Sequence, residues 1–267
     1  MNAYLSVGKL RFAMGLQYRA AAAAGVATQL FFGFIFMMVY MAFYANSVAE
    51  PPMPLRDVVT YVWLQQIFLG FIAMWFRDHD IFGLITSGNI AYELCRPCDI
   101  YRFWYAKLLA TRLASVALRC APLLPVVLLL PPPYRMGPPP SALQFGLFVA
   151  ALLLGLLLVV AISMLIYISV FWTMSPTGSI LMIGVAGEFF AGLIVPVPMM
   201  PAWLQSIVYA LPFRWTADFP FRVYSGHIGV TEALWGIPLQ LLWLAALVGA
   251  GHLLMRRALR RVVVQGG

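Results

Sequence analysis

The sequence predicts an all-α integral membrane protein with six transmembrane helices, and three observations carry that prediction. Hydrophobic residues fill 63% of the 267 positions and charged residues only 10%, with a mean hydropathy of +0.89; a soluble domain of this size would carry far more charge. The apolar residues gather into six stretches, each close to the roughly 20 residues that a helix needs to cross hydrocarbon. The cations fall at the ends of those stretches. The formal charge of +8 therefore reads as a topology signal rather than a nucleic-acid-binding face, so no nucleic-acid partner is expected.

Taken in order, residues 1–20 carry Lys9, Arg11 and Arg19 among Leu5, Leu10, Phe12 and Leu16. This pattern suggests an interfacial helix with its basic side chains near anionic membrane lipid. Because the polar-basic start leads into a full-length span, it does not read as a signal peptide. The first span covers 22–44 and ends in Tyr40, Phe43 and Tyr44. A short loop over 46–57, with Pro51, Pro52 and Pro54, precedes the second span at 58–76. The third span, 107–130, is interrupted by Pro122 and Pro125, and the proline-rich 131–140 that follows is an extended loop. The fourth span, 142–173, is longer than a bilayer requires, so it tilts or projects. A tight turn at Ser175-Pro176-Thr177 leads to the fifth span, 178–197, and the sixth covers 231–254.

Between spans five and six, residues 198–227 contain Pro198, Pro201, Pro212 and Pro220, too many for a crossing. The aromatic residues Trp203, Tyr209, Phe213, Trp215, Phe219, Phe221 and Tyr224 suit an outer interface, and two short, partly re-entrant helices are expected. Counting Lys and Arg fixes the orientation. Twelve lie on the side of the termini and the loop after span two, and four (Arg56, Arg135, Arg214 and Arg222) lie in the opposite loops. Both termini are therefore expected in the cytoplasm.

The longest polar interval is 77–112, with five of the seventeen basic residues. Gly83 and Thr86-Ser87-Gly88 read as breaker and cap residues before a short helix over 89–94. Pro97 stops that helix, and Asp99 is placed to N-cap the next one, which begins at Ile100. Within it, Ile90 and Leu94 are four apart, with Glu93 and Arg96 beside them.

The run Gly88-Asn89-Ile90-Ala91-Tyr92-Glu93-Leu94-Cys95-Arg96-Pro97, with the aromatic-rich 101–105 and Lys107, resembles the first intracellular loop of type-two permeases of ATP-binding-cassette exporters. Pro201-Ala202-Trp203-Leu204-Gln205 and Leu211-Pro212-Phe213 resemble that family's outer segment between spans five and six. The Arg-Pro corner is most similar to the small-permease branch that includes proposed drug and viologen exporters. The resemblance covers nearly the whole chain as one permease domain and implies a bacterial inner-membrane location. It implies that 77–112 holds a coupling helix seated on a separate cytoplasmic ATPase, with Gly88, Ile90, Glu93, Leu94, Arg96 and Pro97 as the coupling residues. It implies also a second permease, the same or different, and ATP and Mg bound by the ATPase rather than by this chain. Ile90 and Leu94 are expected to enter a groove on the ATPase while the charges fix the register.

The sequence has no phosphate-binding loop of its own: its lysines, Lys9 and Lys107, lie in no Gly-rich loop. The histidines at 79, 227 and 252 are scattered, no catalytic set emerges, and no cofactor is expected. Cys95 and Cys98 have CxxC spacing, but no second CxxC or His pair completes a zinc site. Polar residues expected at comparable depth are Gln65, Gln66, Arg119, Ser163 and Glu188. They either line the substrate path or include a structural Arg119–Glu188 pair. Gly184, Gly187 and Gly192 offer span five a small-residue face for helix or subunit packing. Two readings stand: an export permease for an amphipathic, lipid-like or drug-like substrate, and an ion- or proton-coupled carrier with Glu188 as its titrating group.

Overall fold

A computed structural model describes residues 3–47 and 50–260, and among them every regular element is helical. Arg261, counted above with the C-terminal basic cluster, lies outside the described residues. The chain opens with α1 (Ala3–Gly15) and α2 (Arg19–Ala45), which are followed by α3 (Leu55–Ile67) and the short α4 (Leu69–Ile72). The polar interval holds α5 (His79–Thr86) and α6 (Ile90–Leu94), and then α7 (Ile100–Leu129) and α8 (Ala142–Thr173) run to the middle of the chain. Beyond them come α9 (Pro176–Ser179), a π-helical turn (Ile180–Val185), α10 (Ala186–Phe190), α11 (Ala202–Tyr209), α12 (Asp218–Ser225) and α13 (Val230–Leu259).

Among the described residues four helices, α2, α7, α8 and α13, are long and apolar enough to cross a membrane, against the six expected. The stretch expected as span two is divided at Phe68, and helix ends altogether at Ala73. The stretch expected as span five is helical only over Pro176–Phe190 and contains the π turn. Fifteen residues at about 1.5 Å each fall short of the roughly 30 Å of hydrocarbon.

Local chemistry explains the long helices. Asp99 caps α7 by accepting the Arg102 N–H at 2.8 Å, and Ser141 caps α8 by accepting the Gln144 N–H at 3.1 Å. Helix α8 is the pillar of the fold, buried along most of its length by α7, α12 and α13. Gly155 lets it approach the outer segment: a Cβ there would stand 2.6 Å from the Thr216 carbonyl oxygen. Gln240 of α13 then ties both together, donating to the Ala151 and Trp215 carbonyls at 2.8 Å each.

Helix α1 lies along α7. Asp99 donates its N–H to the Tyr4 hydroxyl at 3.0 Å, while Gly15 meets Ala114 farther along, so the two helices run in the same direction. Helix α2 continues that course beside the rest of α7, with Gly25 at Arg119 and Phe34 at Tyr134. The expected interfacial helix is thus packed on the protein along one side, with Leu5, Leu10, Phe12 and Met14 left exposed.

The segment 198–227, expected on the outer side, contains two short α-helices, α11 and α12, but its aromatic residues are not mainly at a surface. Trp215, Phe219, Phe221 and Tyr224 are buried, and of the seven named above Trp203 and Tyr209 remain exposed. The anchor is Asp218, which is fully buried and accepts from Tyr61 Oη at 3.4 Å, the Val197 N–H at 3.3 Å and Arg222 at 3.3 Å. Of the three glycines expected to serve helix or subunit packing, two pack within the chain: Gly187 abuts Met74, and Gly192 abuts Tyr61 and Asp218.

Candidate functional site

The site begins where helix stops. From Ala73 to Asp78 the backbone is not helical, which frees carbonyls at the end of α4 and N–H groups beyond it. In a low-dielectric interior these groups need partners, and two charged side chains supply them from opposite sides. Arg112 of α7, 1% exposed, donates to the carbonyls of Gly70 at 3.3 Å, Phe71 at 3.1 Å and Ala73 at 2.8 Å. Its second amino group donates to Ser163 Oγ at 3.2 Å, and Ser163 in turn donates to the Val159 carbonyl. Glu188 of α10 accepts the Met74 N–H at 3.1 Å. The unwound strand therefore sits between a guanidinium and a carboxylate, braced to α7, α8 and α10.

The same strand leads straight into the polar interval. Asp78 donates its N–H to the Tyr167 hydroxyl at 2.7 Å and caps α5 by accepting from the Asp80 and Ile81 N–H groups at 3.0 and 3.3 Å. Its other oxygen lies 3.5 Å from Lys107 and 3.8 Å from Arg11, while Asp80 lies 2.7 Å from Arg11. Arg11 holds the Asp80 carboxyl below the usual carboxylate range. Four charges thus pin α1, α5 and α7 together at one point.

Two expectations for this region are corrected. Gly83 does not break a helix; it sits inside α5, an element for which the sequence offered no N-terminal signal beyond Asp78. Gly88, with φ +74°, makes the turn that starts α6. Ile90 is not on an exposed docking face: it is 1% exposed and packed in the protein's own core. Helix α6 is a single turn of five residues, so its flanking turns, not a continuous i,i+4 face, decide where residues 90 and 94 point. The exposed apolar residues of α6 are Tyr92, at 75%, and Leu94, at 42%. Glu93 and Arg96 pair with each other at 3.5 Å, and Arg96 also stacks over Phe103 at 5.1 Å. Pro97 follows the C-cap of α6 at Cys95.

Among the polar residues expected at one depth, Glu188 meets the strand directly and Ser163 is tied to it through Arg112. Gln65 donates to the Leu193 carbonyl, and Gln66 is buried beside it in α3. Arg119 is elsewhere. It lies against Gly25 of α2, and the expected Arg119–Glu188 pair does not form. The partner at that level is Arg112, seven residues or about 10 Å earlier on the helix. Counting from the helix ends could have found it. Arg112 is thirteen residues after Asp99 and Ser163 eleven before Met174, which puts them level on neighbouring antiparallel helices.

A family model described as ABC-2 family transporter protein matches residues 34–266, and the chain belongs to that family. It is a membrane permease component of an ABC transporter, the transport subunit rather than the ATPase, and the family implies an ATPase partner. No curated protein and no solved structure matches the chain.

Proposed function

We propose that this chain is the membrane half of an exporter of the small-permease branch, resident in a bacterial inner membrane with both termini inside. Two such permeases face each other, each seated on an ATPase subunit that binds ATP and Mg, and an amphipathic or drug-like substrate passes outward between them. The six-span reading is kept: α3 with α4, and Pro176–Phe190 with the turn after it, cross as broken helices whose freed groups are buried in protein.

The observation that carries the reading is the braced strand at 73–78, because it joins a candidate span directly to the α5–α6 loop. A push on α6 is transmitted through the α5 cap at Asp78 to Arg112, Ser163 and Glu188. Gln65, Ser163 and Glu188 act as braces for the path rather than as groups that touch the substrate. The carrier alternative asks Glu188 to cycle protons, and its carboxylate is instead engaged in holding backbone.

Docking falls to Tyr92 and Leu94, with Gly88 and Pro97 shaping the turns and the Glu93–Arg96 pair setting the rim. Exposed apolar residues on a polar loop need a cover. The double substitution Tyr92→Ser/Leu94→Ser should leave the permease folded, abolish most co-purification with its ATPase and lower substrate-stimulated ATP turnover about tenfold or more. Parental ATPase binding and turnover in that variant would place the coupling contact elsewhere.

A further inference from the structure

A pocket of about 290 Å³ lies where the end of α1, the start of α2 and the middle of α7 meet, with Phe76 on one wall. Two arginines line it, and no carboxylate does. Arg11 is already neutralised, by Asp80 at 2.7 Å and Asp78 at 3.8 Å. Arg119 is not: among the described residues it makes no hydrogen bond and no ion pair, and its guanidinium lies where a Cβ on Gly25 would come within 2.9 Å. The Ser115 hydroxyl, also on the lining, is likewise without a hydrogen-bond partner among the described residues. The rest of the wall is mostly apolar or aromatic, with Met14, Tyr18 and Leu118, and its one other hydroxyl-bearing aliphatic residue, Thr111, spends its hydroxyl on the Lys107 carbonyl at 2.9 Å.

A cation on a membrane helix is costly unless an anion or water meets it, and this one has room in front of it and nothing among the described residues to meet it. Height decides which anion fits. The pocket spans the junction of α1 and α2, where the basic Arg19 gives way to the apolar run of α2. Arg119 belongs to the expected span 107–130, but its guanidinium lies against Gly25, only three residues into the span expected at 22–44, so its long side chain reaches toward the headgroups on the cytoplasmic side. Above it α2 exposes Phe31, Phe32, Met38 and Val39, an apolar surface suited to acyl chains rather than to a soluble phosphate. Resting on the membrane orientation proposed above, we infer that the pocket binds the phosphodiester headgroup of an anionic phospholipid of the inner leaflet, with Arg119 and Ser115 as its ligands and the acyl chains along α2.

The test uses the purified full-length protein in phosphatidylcholine nanodiscs carrying a small fraction of spin-labelled phosphatidylglycerol, with spin-labelled phosphatidylcholine as the reference lipid. The parent should immobilise the anionic label preferentially. Arg119→Gln should reduce that preference about tenfold, the loss expected of one charge-assisted contact, while Arg119→Lys should keep most of it. Ala22→Phe, which fills the pocket without changing charge, should reduce the preference as Arg119→Gln does. All variants are first checked for parental elution on size exclusion, and a misfolded Arg119→Gln leaves the Lys and Phe variants to decide. Equal immobilisation of the two labels by the parent overturns the proposal. So does an unchanged preference in both Arg119→Gln and Ala22→Phe. Displacement of the label by millimolar inorganic phosphate would assign the pocket to a soluble phosphate compound instead. Efficient cross-linking of Ala22→Cys between two copies would show that a second permease covers it. Membrane orientation is read separately by thiol labelling, so a failure here with the orientation intact leaves the exporter reading standing.

Discussion

A buried guanidinium has five donors to place, and Arg112 spends its donors on three main-chain carbonyls and one hydroxyl. That makes it a substitute for the helical hydrogen bonds that the chain gives up after α4. Removing it leaves those carbonyls without partners, so Arg112→Gln should destabilise the detergent-solubilised protein by about 2–4 kcal/mol. Arg112→Lys should fall between, because one ammonium cannot reach three carbonyls and Ser163 together. Glu188→Gln keeps an oxygen for the Met74 N–H and should be mild, whereas Glu188→Leu should not. Thermal unfolding of the four variants checks the order; an Arg112→Gln midpoint equal to the parent's would remove the brace from the account. Residue chemistry was only half legible beforehand. The sequence places Arg119 at the depth of Glu188 and Ser163, whereas position relative to the ends of α7 and α8 singles out Arg112. No sequence signal marks the carbonyls of Gly70, Phe71 and Ala73 as Arg112's acceptors, because that depends on where α4 unwinds.

Helices α1, α5 and α7 come from distant parts of the chain and are joined by a handful of charges, so their union depends on pH. The Asp80 carboxyl is held low by Arg11. A lowered folded-state value stabilises above the unfolded carboxylate value of about 3.9 and is lost as pH falls through the lower, folded one. Asp80 is largely exposed, so the effect is modest and screened by salt. Amide exchange in α1, corrected for its intrinsic rate, should therefore rise between pH 6 and about pH 3. Asp80→Asn should raise it already at pH 6 and flatten the dependence. An α1 equally protected in both proteins at pH 6 would mean that packing along α7 alone holds it. At this scale the sequence is most readable where capping chemistry is local, as with Asp99 before α7. Helix α8 occupies its expected bounds, 142–173. Helix α5 was missed because Gly83 and the Thr86–Gly88 run look like punctuation, while the burial of Ile81, Phe82 and Ile85 against the rest of the protein outweighs their weak local preference.

For the whole molecule, the basic-residue split supports the proposed orientation, which is open to direct measurement. In a background with Cys95, Cys98 and Cys120 replaced by Ser, Arg135→Cys should react with an impermeant maleimide added to intact cells. Asn89→Cys should react only after the membrane is opened. Both positions are exposed on the protein, so burial does not confuse the result. The opposite pattern would sink the proposed topology and with it the direction of transport. Composition and apolar run length made the class of the molecule legible, since long hydrophobic helices need no tertiary information to declare themselves. They could not show that the stretches at 58–76 and 178–197 are interrupted; for the first, the groups that tolerate the interruption, Arg112 and Glu188, stand far away in sequence.

One of those interruptions changes what the chain can absorb. The turn at Ile180–Val185 is π-helical and so winds in more residues per turn than its neighbours. It is slack in the spelling of the helix. Deleting one residue there, Ile183 for example, can be taken up by tightening the turn to α geometry, which leaves Glu188 facing Met74. Deleting one residue from the regular helix α8, such as Ala161, offers no such refuge and rotates everything beyond it by about 100°. The Ile183 deletion should therefore yield folded protein at close to parental levels and the Ala161 deletion very little, by fluorescence-detected size exclusion. Equal loss in both would show that the wide turn is held in place by its neighbours and carries no spare length.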